Sequence, residues 1–134
     1  VLEVLVPVRL VNPKNQRGHW AQHWRTVCTL RDATTAAVYR AHGRSDALTR
    51  LRRLVAAGGR LHITLTPILP RAFDSDGCVA AVAPIRDELA ALLMPGRRPG
   101  QGDGPADGHV WTVAPAEVTR DRGRFGCRVR VEGA

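Results

Sequence analysis

Leu61, Ile63 and Leu65 alternate with His62, Thr64 and Thr66, and about eleven residues later the chain enters an apolar 3.6-residue repeat. Strict alternation is the signature of a half-buried strand, and the following repeat is that of an amphipathic helix. Val79, Val82, Ile85, Leu89, Leu92 and Leu93 mark one face of that helix, expected from about Gly77 to Leu93 with Asp76 as N-cap. Pro67 and Pro70 are expected to end the strand, and Pro84 to remove a backbone hydrogen bond and kink the helix. A strand handing over to a long helix restricts the chain to a mixed α/β architecture.

The flanking segments fit that frame. Leu2, Val4, Val6 and Val8 mark an opening strand, expected to be covered on both faces for much of its length, with Pro7 implying an edge or irregular position. Residues 12–18 are a polar turn. A helix from His19 to near Gly43 carries Trp20, Trp24, Val27, Arg31, Thr34 and Val38 on one stripe, continued by Ala37 and Ala41; Arg31 can bury its stem and keep its head in water. A second helix starts at Ser45, an N-cap, with Leu48, Leu51, Leu54 and Val55 inward, and Gly58-Gly59 stops it. Residues 95–108 read as a long flexible loop. A strand from Val110 to Thr119, broken by Pro115, and a last strand from Phe125 to Glu132 close the chain. The expected order is β-α-α-β-α-β-β over a single small domain, residues 1–134, with a mixed sheet.

No stretch is long and apolar enough to span a membrane, and the first residues lack the features of a signal peptide, so a cytoplasmic location is expected. Cys28, Cys78 and Cys127 are odd in number and widely spaced; they read as reduced and mostly buried. The 20 basic residues against 12 acidic ones leave a net charge of +8, and all the basic ones except Lys14 are arginine. Such an excess favours a polyanionic partner.

Five carboxylates in ordered elements, Glu3, Asp32, Asp87, Glu88 and Glu132, have a plain solvated reading. Asp74 and Asp76 differ because they sit two apart where the strand meets the helix. In an extended segment they point to one side, where a hard cation such as Mg²⁺ relieves their repulsion and the helix N-terminus faces any phosphate. The same two residues also read as a helix cap plus a turn aspartate. His19 and His23 share a helix face but have no third ligand to make a zinc site. Ser45 and Ser75 lie in no nucleophile motif, and the Gly-rich 96–108 stretch lacks the context of a phosphate-binding loop.

Over most of its length the chain resembles the RusA-type Holliday-junction resolvases of phages and prophages. Pro13-Lys14-Asn15 after the first strand is similar to the family's Pro-Ser-x-Asn loop. Arg71-Ala72-Phe73-Asp74-Ser75-Asp76 is similar to its Asp-x-Asp-Asn motif, Ile85-Arg86-Asp87 to the segment that follows, and Ala106-Asp107-Gly108 stands where the family has an Asp-Asp pair. Gly77, Ala106 and the absence of any lysine after Lys14 depart from the family pattern, and the 95–105 stretch is longer. The resemblance implies a homodimer that binds four-way DNA junctions and cuts them with Mg²⁺ or Mn²⁺. It gives the metal-binding, catalytic role to Asp74, Asp76 and Asp107. Lys14, Asn15, Arg17, Arg25, Arg71, Arg97 and Arg98 are then the candidates for the DNA-binding face. The alternatives are a non-catalytic DNA-binding relative of the same fold and a dimeric phage interaction protein.

Overall fold

The computed structural model describes residues 1–13, 20–94 and 108–133. Their elements run β1 (Leu2–Val6), α1 (Trp20–His42), α2 (Ala47–Ala56), β2 (Leu61–Leu69), α3 (Ser75–Leu93), β3 (Val110–Val113), β4 (Glu117–Val118) and β5 (Gly126–Gly133), with a 3₁₀ turn at Arg122–Arg124. The expected single strand at 110–119 is thus two strands, divided around Pro115, and the order is β-α-α-β-α-β-β-β. The sheet is mixed, ordered β1-β5-β2-β3, with β4 also on β2. β5 pairs antiparallel with both β1 and β2, whereas β3 and β4 run parallel to β2.

β2 extends past Pro67 to Leu69, although the sequence pattern ends it at Thr66. The reason is tertiary. Leu65 and Leu69 accept backbone hydrogen bonds from Ala114 and Thr119, so alternate residues of β2 face the β3–β4 side. Pro67 lies between them, and its missing N–H falls at the gap between β3 and β4. A proline is tolerated there because no ladder bond is lost.

One face of the sheet is buried. Leu2, Val4, Val6, Leu61, Ile63, Leu65, Cys127, Val129 and Val131 pack into a single core with Leu30, Val38, Leu48, Leu51, Val82, Ile85, Leu89 and Leu93 from the helices. The other face carries Glu3, Leu5, Arg128 and Arg130. β1 is therefore an edge strand covered on one face, in contrast to the double coverage its apolar run suggests. On the open face Arg130 meets Glu3 at 2.9 Å and Glu132 at 3.5 Å, and Arg128 pairs with Glu117.

The helix stripes shift from their expected positions. α1 buries Leu30, Thr34, Ala37 and Val38, while Trp20 and Trp24 are 74% and 55% exposed and Ala41 is exposed. Core contact begins only at Leu30, so the aromatic first half of α1 stays outside it. Arg31 does not keep its head in water: its Nε donates to Glu88 of α3 at 2.9 Å, and Glu88 also accepts from Thr35 at 2.8 Å. Glu88 is thus a helix-to-helix tie, contrary to its plain solvated reading. Val79 and Leu54 are exposed, and Cys78 and Ala81 take inward positions on α3. Asp46 is the residue before α2 but makes no side-chain cap bond; Ser45 Oγ accepts from the Ala47 amide at 3.4 Å and donates to the carbonyl of His42 at 3.1 Å. No helix is long and apolar enough to cross a membrane among the described residues. Cys28, Cys78 and Cys127 are free thiols, the last two buried.

Candidate metal and nucleic-acid site

β2 delivers the chain to Pro70, and five residues lead from Pro70 into α3. Asp74 is extended (φ −66°, ψ 167°) and is the N-cap of α3, with its Oδ1 accepting from the Gly77 amide at 2.6 Å. This satisfies one of the amide donors that every helix leaves open at its start. Its carbonyl accepts from Cys78 N at 2.9 Å and closes the first turn. The expected cap, Asp76, instead lies inside the first turn. For the same reason the two carboxylates do not lie on one side of an extended segment: the helix begins at Ser75, and helical residues rotate by about 100° per step. Both residues stand at the start of the helix, whose amides attract negative charge. Both are exposed.

Gly77 is buried in a polar cradle. A Cβ there would lie 2.6 Å from both Asn12 Nδ2 and Asp74 Oδ1. Asn12, from the segment after β1, therefore closes over the start of α3, an association that its place in a polar turn does not reveal. Behind the cap, burial and then the Asp74 carboxylate push the Cys78 thiol above its usual range.

The donor chemistry fits a hard cation. Mg²⁺ is commonly held by one or two carboxylates, with water and phosphate completing its octahedron. Asp107 lies outside the described residues, and among the described residues no group of three His, Cys, Asp or Glu side chains is placed to hold a metal. Lys14, Asn15, Arg17, Arg97 and Arg98 also lie outside them, as does His19. Arg71 is exposed in the β2–α3 loop. Arg25 is exposed on α1 and lines a concavity of about 440 Å³ with Pro7, Val8, Arg9 and Val11.

A second concavity, of about 420 Å³, opens at the end of β2. Arg9, Arg120 and Arg122 line it with Pro70 and Phe125. None of these arginines stands out in the sequence, because the cluster draws on both ends of the chain. Compared with protein-family models, curated proteins and solved structures, the chain has no match.

Proposed function

We propose that the chain is a metal-dependent endonuclease acting on branched DNA, of the Holliday-junction-resolving kind that its sequence resembles. The observation that carries the reading is the pair of exposed carboxylates at the start of α3, on a chain with a net charge of +8. In this reading Asp74 and Asp76, joined by Asp107, hold Mg²⁺ or Mn²⁺. Bound there, the cation supplies offsetting charge to the attacked phosphate. Asp74 contributes its second oxygen, since Oδ1 caps the helix. Arg71 and Arg25 bind backbone phosphates, as do Lys14, Arg17, Arg97 and Arg98, with Asn15 beside them. Two copies of the chain related by a two-fold place one site on each of two equivalent strands.

The cap itself favours a second reading, a DNA-binding relative that does not cut. A carboxylate engaged by the Gly77 amide at 2.6 Å already has a structural reason to be there. Incubation with a synthetic four-way junction, beside linear duplex of the same sequence, separates the two. Nicking of the junction with Mg²⁺ and none with EDTA is expected. Salt-sensitive binding without nicking selects the non-catalytic relative, and no binding at moderate salt overturns both.

A further inference from the structure

The arginine-lined concavity is assembled by three chain segments that the sheet brings to one end. Arg9 follows β1. Pro70 follows β2. Arg120, Arg122 and Phe125 belong to the connection between β4 and β5. That connection is fixed at several points. Thr119 N donates to Leu69 O at 2.9 Å, setting Arg120 beside the end of β2. Asp121 N donates to Thr119 Oγ1 at 3.2 Å, and Asp121 Oδ1 accepts from Gly123 N at 3.0 Å. Phe125 N closes the turn on Arg122 O at 3.3 Å. Gly126 then passes so close to β1 that a Cβ would lie 2.1 Å from Val6 O. The β4–β5 side of the concavity is thus backbone tied at several points.

Its arginines differ from those on the open sheet face, which stand against acids. The arginines on the open sheet face are neutralised, Arg128 by Glu117 and Arg130 by Glu3 and Glu132. Arg50 pairs with Asp46 and Arg31 with Glu88. Arg9, Arg120 and Arg122 have no carboxylate partner among the described residues, and the one acid between them in the chain, Asp121, is turned to the Gly123 amide. Three cations around one hollow raise its potential and draw an anion. Guanidinium groups match phosphate oxygens in geometry as well as charge. Phe125, half-buried at the same hollow, offers the apolar ring on which a nucleobase stacks.

We propose that this concavity is a nucleotide site. It takes one backbone phosphate of a DNA strand between Arg9, Arg120 and Arg122, and the adjoining base against Phe125. The inference rests on the reading of the chain as a DNA-binding protein. Asp74 is four steps along the chain from Pro70, a reach of at most about 14 Å. At about 3.4 Å of axis per nucleotide, the strand held here passes the carboxylates within about four nucleotides.

Two probes test this on the full chain: a fluorescein-labelled four-way junction titrated at several salt concentrations, and a 5′-phosphorylated thymidine dinucleotide followed by NMR. The double variant Arg120→Gln/Arg122→Gln is expected to lower the log–log salt slope of junction affinity by about one, the share of a single phosphate. Arg40→Gln/Arg44→Gln, in the last turn of α1 and just past its end, leaves that slope unchanged. Phe125→Leu keeps the slope and weakens binding of a single-stranded oligonucleotide about five- to hundredfold. The dinucleotide shifts the Phe125 ring resonances in the parent and not in the double variant. Junction binding whose slope ignores Arg120 and Arg122 overturns the site and spares the nuclease reading. Dinucleotide binding without junction binding does the reverse, and silence with both probes overturns both.

Discussion

Asp74 has two proposed tasks, and a pair of substitutions separates them. As N-cap it accepts the Gly77 amide at 2.6 Å; as metal ligand it supplies negative charge. Asp74→Ala removes both. Losing an N-cap acceptor costs about 1 kcal/mol, within a range of about 0.5–2. At about 2.1 cal/mol/K per residue, unfolding 134 residues carries an entropy near 0.28 kcal/mol/K, so the melting temperature falls by about 3–4 °C. Asp74→Asn keeps an oxygen where Oδ1 stands, and asparagine caps helices about as well as aspartate. Its melting temperature is expected within about 1–2 °C of the parent. Junction cutting, by contrast, is lost in both variants, while junction binding by Asp74→Asn is kept or strengthened because a negative charge beside the phosphate is gone. Thermal unfolding by circular dichroism and a nicking assay on the same preparations read the two tasks separately. An Asn variant as unstable as the Ala variant refutes the cap geometry. An Asn variant that cuts at the parental rate refutes the ligand role.

Gly126→Ala forces a Cβ onto the carbonyl of Val6 from a backbone at φ +157°, and a loss of about 1–3 kcal/mol in urea unfolding is expected; an unchanged midpoint contradicts the close approach. Glu117 is held below the usual carboxylate range by the Arg128 side-chain hydrogen bond, so its contribution is present above about pH 4.3 and is lost as pH falls through its lowered folded value. Glu117→Gln is therefore expected to flatten the acid side of the stability curve and to leave the alkaline side alone. Burial pushes the Cys127 thiol up to about 12, so it should resist a thiol reagent at pH 8 in the folded protein, while the partly exposed Cys28 reacts first; labelling in the opposite order contradicts the packing of β5.

Much of the architecture was legible where one local signal acted alone. The alternation of Leu61–Thr66, the inward face of α3 at Val82, Ile85, Leu89 and Leu93, and the break at Pro115 all follow from periodicity or proline chemistry. The misreadings have a common origin in neighbours that are distant in sequence. Pro67 stays in β2 because a gap between two other strands meets it. Trp20 and Trp24 point outward because the core begins a turn and a half later, at Leu30. The α3 cap falls on Asp74 and not Asp76 because two capping residues stand close together, and local propensity does not choose between them. Of the candidate site, Asp74, Asp76, Arg25 and Arg71 were visible as residues, but the extended geometry assumed for the aspartates was not what the helix start imposes. Asn12 and the Arg9, Arg120 and Arg122 cluster come together only through the sheet, so no spacing in the chain could have exposed them.

The central claim is tested most directly by mapping the cuts made in a four-way junction labelled on each strand in turn and resolved on a denaturing gel. Paired nicks are expected, symmetrically placed on two opposite strands, that appear with Mg²⁺ and vanish with EDTA or with Asp76→Asn. Intact strands at protein concentrations that fully shift the junction would contradict it, as would cuts that persist in EDTA.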